Sequence, residues 1–379
     1  MCLFLLIRLV ACGGILAGPG GTDGEGSSGE SAEQASMEAS EASSEQTEPA
    51  TQTGPKTFTI SACGDCTLGT DENFEVSTNF NSVFEEEGSD TSYFMRSVEP
   101  VFSQDQLSIC NFEGTLSTRG ERADKTYAFR GDPSYVNILT QGSIEAAGIA
   151  NNHTLDYGQN AYDDTVSTLE GAGLAVFGYE KTAIYEIDGV KVGLYGGNAL
   201  RGYEAAAEQM QTNVQSLEDQ GCQVIIGVFH WGTERQYTPD DEQVVLAHAA
   251  IDAGTDLVLG GHPHVLQGVE NYNGHYIAYS LGNFCFGGNK NPSDKDTMIF
   301  QQTFTVNEEG LNASASTVDV VPCRLSGSTN RNDYQPTPLT GDDATELLEN
   351  LNSYSAKLSG TSVAFSTTVD DDGKAFPAA

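Results

Sequence analysis

The chain has 379 residues, 17 basic and 54 acidic, for a formal net charge of −37. That acidity excludes nucleic acid as a partner, which needs basic patches, and simple adsorption to anionic lipid headgroups. The length suffices for a large buried core, and eight cysteines do not make a disulfide scaffold in a chain this long.

The first twelve residues, Met1 to Cys12, hold an apolar run too short to span a bilayer as a helix. Leu9-Val10-Ala11-Cys12 is similar to the end of a bacterial lipoprotein signal, whose cysteine is lipidated and becomes the new N-terminus. Arg8 lies inside the apolar part, whereas a complete signal has basic residues ahead of a longer apolar core. A start assigned too far downstream would account for this. Residues 13–56 carry eight acids, one lysine and no aromatic residue. They cannot bury enough apolar area to offset chain entropy and read as a tether. Lipidation at Cys12 plus a tether predicts an extracytoplasmic protein, held to the outer face of a bacterial cytoplasmic membrane by its lipid.

From residue 57 the pattern becomes globular. Residues 57–63 predict a strand, 67–90 a long loop, 91–102 a helix, and 107–110 a short strand. Residues 127–133 predict a strand ending in a turn. A helix over 134–145, a strand over 146–150, a helix over 158–172 and a strand over 174–177 follow. Residues 183–195 contain a hairpin turning at Asp188-Gly189. Helices are predicted at 203–220 and 240–253, and strands at 223–229, 256–259, 265–272 and 275–280. Strands at 298–306 and 313–321 precede a closing helix over 341–358. This α/β alternation, with hairpins behind it, predicts two sheets with helices outside.

Polar clusters sit at the ends of the predicted strands. His262-Pro263-His264 follows a strand through Gly260-Gly261, where the backbone can approach a neighbour closely. Asn151-Asn152-His153, His230-Trp231-Gly232, Gly64-Asp65 and Asn111-Phe112-Glu113 each end another apolar run. Strand ends meet in one crevice in α/β sheets, and neutral imidazole and carboxylate are good ligands for Mn, Fe or Zn. His248, inside a helical pattern, and His275, in a hairpin, read as structural. Cys63-Gly64-Asp65-Cys66 is open to a redox or zinc reading as well as to plain burial, and no second such pair accompanies it.

The order Gly64-Asp65, Asn111-x-Glu113, Asn151-Asn152-His153, His230-Trp231-Gly232, Gly261-His262-x-His264, then Tyr279-Ser280-Leu281-Gly282-Asn283-Phe284, resembles the CapA-type capsule-synthesis family. That family is associated with poly-γ-glutamate and is related to the calcineurin-like metallophosphoesterases. The resemblance covers roughly residues 57–321. It implies a four-layer α/β/β/α sandwich of the metallo-dependent phosphatase type over 57–325. A C-terminal helix and tail, 326–379, would pack on the same domain.

Carried over by motif, the resemblance implies two divalent metal ions. Asp65 and His264 would hold the first, Glu113 would bridge, and Asn152, His230 and His262 would hold the second. His153, beside a ligand but itself free, would reach the substrate as a general acid or charge stabiliser. Asp156 is placed either to orient His153 or to cap the helix after Gly158. Trp231 and Glu234 are placed to line the pocket, Trp231 being equally readable as packing, and Asn283 to contact it. Two features depart from the wider phosphoesterase pattern. The usual Asp-x-His is here Asp65-Cys66-Thr67, and the usual bridging aspartate is Glu113.

Three functions fit these residues. One is a metal-dependent hydrolase at the cell surface, of phosphoester bonds first and amide bonds second. The second is an assembly factor for polyglutamate that partners its synthesis machinery without turnover. The third is a solute-binding lipoprotein with a structural metal. The ligand in each is an anionic small molecule or polymer.

Overall fold

The computed structural model describes residues 54–378. The expected leader, Cys12 and the expected tether as far as residue 53 lie outside them. Among the described residues two mixed sheets dominate. The main path of the nine-stranded sheet is Thr337–Pro338, Thr317–Arg324, Asp296–Asn307, Lys56–Thr67, Leu107–Phe112, Ala146–Gly148 and Ala175–Phe177. The seven-stranded sheet runs Thr361–Ser362, Val269–Tyr272, His275–Ala278, Leu257–Gly261, Val224–His230, Val190–Asn198 and Ala183–Ile187.

The two sheets pack face to face. Phe58, Ile60, Leu107 and Phe300 of the first share one buried cluster with Val192, Leu194, Ile226 and Leu257 of the second. On the outer face of the first sheet, Cys63, Cys110 and Ile299 are covered by Val83, Ile138 and Leu169 from helices Phe80–Glu86, Val136–Gln141 and Gly158–Gly171. On the outer face of the second, Ile225, Phe229 and Val258 are covered by Met210, Val214 and Leu246 from helices Tyr203–Asp219 and Asp241–Asp252. The protein is therefore an α/β/β/α sandwich, as its periodicity and motif order predict. Leu107–Phe112 and Val224–His230 are buried along their whole length, which is why they read as continuous apolar runs. The closing helix Gly341–Ser355 does not lie outside: its Leu347, Leu348 and Leu351 join the core between the sheets.

Several elements depart from the sequence reading. The expected helix over 91–102 is a 3₁₀ turn, Thr91–Tyr93, and a separate short helix, Glu99–Phe102, with Pro100 in its first turn. Proline has no N–H for a continuing ladder and fits only the first turn of a new helix. The expected strand over 127–133 shrinks to Arg130–Gly131. The reason is that carboxylates take its amides: Ala128 N donates to Asp71 Oδ2 (2.7 Å) and Phe129 N to Asp156 Oδ2 (2.6 Å). The expected helix over 134–145 stops at Gln141, where Gly142 packs close to Met95. The loop expected over 67–90 contains the helix Phe80–Glu86. Asn283–Phe286 is an additional strand, parallel to Lys56–Thr67.

Candidate metal centre

The first strand is irregular where it meets the site. Its register on Leu107–Phe112 shifts between Cys63 and Asp65. Gly64 permits this, since a Cβ there would lie 2.0 Å from the Gly282 carbonyl oxygen. The bulge turns Asp65 into the interior, where it is fully buried. Asp65 Oδ1 accepts from Asn111 Nδ2 at 2.7 Å, and Oδ2 accepts from the backbone N–H of His262 at 3.1 Å. That second bond joins the two sheets. It requires Gly261, whose added Cβ would lie 2.4 Å from Asp65 Oδ1.

His262 and His264 both have left-handed backbones, with φ of 92° and 56°. Non-glycine residues adopt such angles at a cost of about 1–3 kcal/mol each, and strain of this kind gathers at functional sites. His264 Nδ1 faces Asn283 Oδ1 at 2.8 Å and Asp65 Oδ2 at 3.4 Å. The His262 ring lies 4.8 Å from that of His230 and 5.7 Å from that of His264.

Glu113 follows the second strand and is fully buried. Its Oε1 has no hydrogen-bond partner, and lies 3.6 Å from His230 Nε2 and 3.7 Å from His153 Nε2. His230 Nε2 also faces Asn152 Oδ1 at 2.8 Å, while its Nδ1 meets Asn111 Nδ2 at 3.2 Å. The ligand atoms of Asp65, Glu113 and His264 lie within 4.8 Å of one another, as do those of Glu234, His262 and His264. All six expected ligands therefore converge, and Glu234 joins them rather than only lining the pocket.

Burial, followed by the charge of Asp65, pushes the Glu113 carboxyl up to about 7. Burial also acts to raise Asp65, but the hydrogen bond from His264 and the neighbouring imidazoles hold it at about 2. Burial pushes His230 well below its usual range and His262 down to about 4, which keeps both neutral. His264 is raised to about 9: burial opposes this, but the Glu113 charge and the Asp65 bond outweigh it. Glu113 Oε1 and His262 Nδ1 are both buried without a partner. Buried lone pairs of this kind are ordinarily satisfied, and an unpaired carboxylate oxygen beside neutral imidazoles is a donor set for a divalent ion. The residues present fit such ions, whose binding would displace the proton that Glu113 and Asp65 hold on His264.

His153 is buried, and its Nδ1 lies 2.6 Å from Asp156 Oδ2. The helix beginning at Gly158 has no side-chain cap, so Asp156 is engaged by His153 and not by the helix. Three residues of this network have no role in the sequence reading. Lys125 Nζ donates to Asp156 Oδ1 at 2.7 Å and to the Asn152 carbonyl at 3.0 Å. Asn111 holds Asp65 and His230, and Asn151 Nδ2 donates to Asn111 Oδ1 at 3.2 Å. The alternation Asn111-x-Glu113 was the available signal for Asn111, since residues two apart on a strand share a face.

Trp231 does not line the cavity. It is fully buried, stacks on Phe229 at 4.9 Å, and donates Nε1–H to the Tyr279 carbonyl at 2.9 Å. Apolar neighbours on the outer side of the sheet outweigh its nearness to His230, so its role is packing. Cys63 and Cys66 are buried free thiols, in the apolar cluster beneath the helices. His248 bonds Glu270 at 3.1 Å, away from the candidate ligands.

The family model described as "Bacterial capsule synthesis protein PGA_cap" matches residues 59–288. The "PGA biosynthesis protein CapA" of Bacillus subtilis (strain 168) is 31% identical over 225 residues, which cover 54% of this chain and 59% of that one. The "Capsule biosynthesis protein CapA" of Bacillus anthracis is 28% identical over 261 residues, 62% of each chain. A "Probable polyglutamine synthesis accessory protein" of Mycobacterium tuberculosis (strain CDC 1551 / Oshkosh) is 30% identical over 208 residues, 46% of this chain and 54% of that one. The chain thus spans between about half and six-tenths of the length of these relatives.

Proposed function

This chain belongs to the bacterial capsule synthesis family PGA_cap, and from that membership we propose that it is a surface-anchored, metal-dependent phosphoester hydrolase serving capsule or poly-γ-glutamate synthesis or export. The observation that carries the reading is the buried, unpaired Oε1 of Glu113 between His230 and His153. Asp65, Glu113 and His264 would hold one divalent ion, and Asn152, His230 and His262 a second, with Glu234 within reach of His262 and His264. Mn, Fe or Zn all suit these donors. Ions bound there would polarise a phosphoryl oxygen, lower the pKa of a bound water and offset the charge of an acidic protein near an anion.

The remaining work falls to side chains. Asp156 Oδ2 fixes the Nδ1 side of His153, which leaves Nε2 facing the Glu113 side of the site. From there a proton on Nε2 is placed to pass to a leaving oxygen. Lys125 neutralises Asp156 and holds the Asn152 backbone, which keeps ligand and acid in fixed relation. Asn111 orients both Asp65 and His230, the usual task of a residue behind a metal ligand.

A second reading is an assembly factor without turnover. It is favoured by Thr67, whose hydroxyl lies 3.5 Å from Glu113 Oε2 where the wider phosphoesterase pattern has an imidazole. Metal analysis of the full chain with a phosphodiesterase assay alongside decides between them. Bound metal with turnover supports the hydrolase, and bound metal without turnover supports the assembly factor. Absence of metal after reconstitution would remove the hydrolase.

The lipid anchor at Cys12 and the outer-face location belong to the same proposal. They rest on the Leu9-Val10-Ala11-Cys12 sequence and on the acidic segment that follows it.

A further inference from the structure

Beside the ligands lies a cavity of about 450 Å³, bordered by His153, Glu234 and His264. That volume suits a small molecule. Its walls include Phe74, Tyr127, Phe129 and Phe286. Phe74 meets Tyr127 edge-on at 6.1 Å and Phe129 at 6.5 Å, and Phe129 meets Phe286 at 6.4 Å. Tyr127 and Phe129 are nearly parallel, 10° apart, and Phe129 lies 4.4 Å from the His153 ring. An aromatic row therefore runs from the mouth, where Tyr127 is 51% exposed, to the proposed acid.

The charges on the same walls do not suit a polyanion. Away from the candidate ligands Glu234 and His264, the charged wall residues are Glu75 and Asp294 against Arg235 and Lys290, and Lys290 is paired with Glu75. A glutamate polymer brings one carboxylate per residue, so each residue entering would need a cation of its own, and these walls hold no surplus of cations. A single anionic group at the metal ligands, attached to a neutral body, meets no such penalty. An aromatic face stacks well with a ring.

We propose that the cavity takes the ring of a phosphoester, a sugar or nucleoside stacked on Tyr127 and Phe74, with its one phosphoryl group at His153 and His264. The polymer chain itself is not the occupant. The proposal rests on the phosphoesterase reading above.

The test is calorimetry on the full chain loaded with Mn²⁺, using phenylphosphonate, methylphosphonate and tri-γ-glutamate. Phenylphosphonate should bind about 10-fold or more tightly than methylphosphonate, the scale of one aromatic stacking contact. The gap should close in Tyr127→Ala and Phe74→Ala and persist in Tyr127→Phe. The exposure of Tyr127 keeps these Tyr127 variants folded. Tri-γ-glutamate should not displace phenylphosphonate. Phosphonate analogues of a hexose 1-phosphate and of a nucleoside 5′-monophosphate then separate the two ring sources, and tighter binding of either than of methylphosphonate supports the proposal. Equal affinity for the phenyl and methyl probes, or displacement by tri-γ-glutamate, overturns it and leaves the phosphoesterase reading standing. A chain that takes up no Mn²⁺ and binds neither phosphonate overturns both.

Discussion

The carboxylate of Asp65, on one sheet, accepts the backbone N–H of His262, on the other, at 3.1 Å. This bond sets the distance between candidate ligands that come from opposite halves of the sandwich. It exists because Gly261 lets the second sheet come within reach of Asp65.

Gly261→Ala should therefore act on both stability and metal. A Cβ 2.4 Å from Asp65 Oδ1 must push the strand ends apart, and overpacking of this kind costs about 1–3 kcal/mol. We expect a lower denaturation midpoint together with weaker metal binding. An unchanged midpoint with full metal content would show that the close approach is not needed.

His153 and Asp156 separate chemistry from metal retention. His153→Ala should keep its metal, because Asn152 and not His153 is the proposed ligand, and phosphodiesterase rate should fall roughly 10²–10⁴-fold. Asp156→Ala should in addition destabilise the fold by about 1–3 kcal/mol, because the buried Phe129 amide loses its acceptor. Loss of metal in His153→Ala equal to that in His262→Ala would mean that the Asn152 and His153 roles are reversed.

Trp231→Phe tests whether packing is the whole role of that residue. The substitution leaves the Tyr279 carbonyl without its Nε1–H donor, at a cost of about 1–3 kcal/mol. Metal content and KM should stay at the wild-type level. A raised KM without a change in stability would return Trp231 to the substrate.

Much of this was legible in the sequence, for identifiable reasons. Strands buried on both faces, such as Leu107–Phe112 and Val224–His230, leave continuous apolar runs, and the polar residue ending each run marks the site. Other features were not legible because they depend on distant partners. Residues 127–129 have strand-like composition, yet their amides are taken by Asp71 and Asp156, 57 and 27 positions away. Lys125 sits in an irregular stretch with no periodicity to place it, and only the fold brings its amine to Asp156. Trp231 follows the candidate ligand His230 in sequence but points to the outer side of its sheet, because side chains alternate along a strand.

The anchor has a direct check. Mass spectrometry of the membrane fraction should find Cys12 lipidated and no peptide containing Met1 to Ala11. An intact leader on the mature protein would rule out the anchor and, with it, the argument for an outer-face location.

Asp65, Glu113, Asn152, His230, His262 and His264 are proposed to hold divalent metal together. Elemental analysis of the reconstituted full chain, beside Glu113→Gln and His230→Ala variants, tests this most directly. We expect about two ions per wild-type chain and a clear loss in both variants, each of which should remain folded by circular dichroism. A wild-type chain that takes up no Mn, Fe or Zn, or variants that retain the full complement, would contradict it.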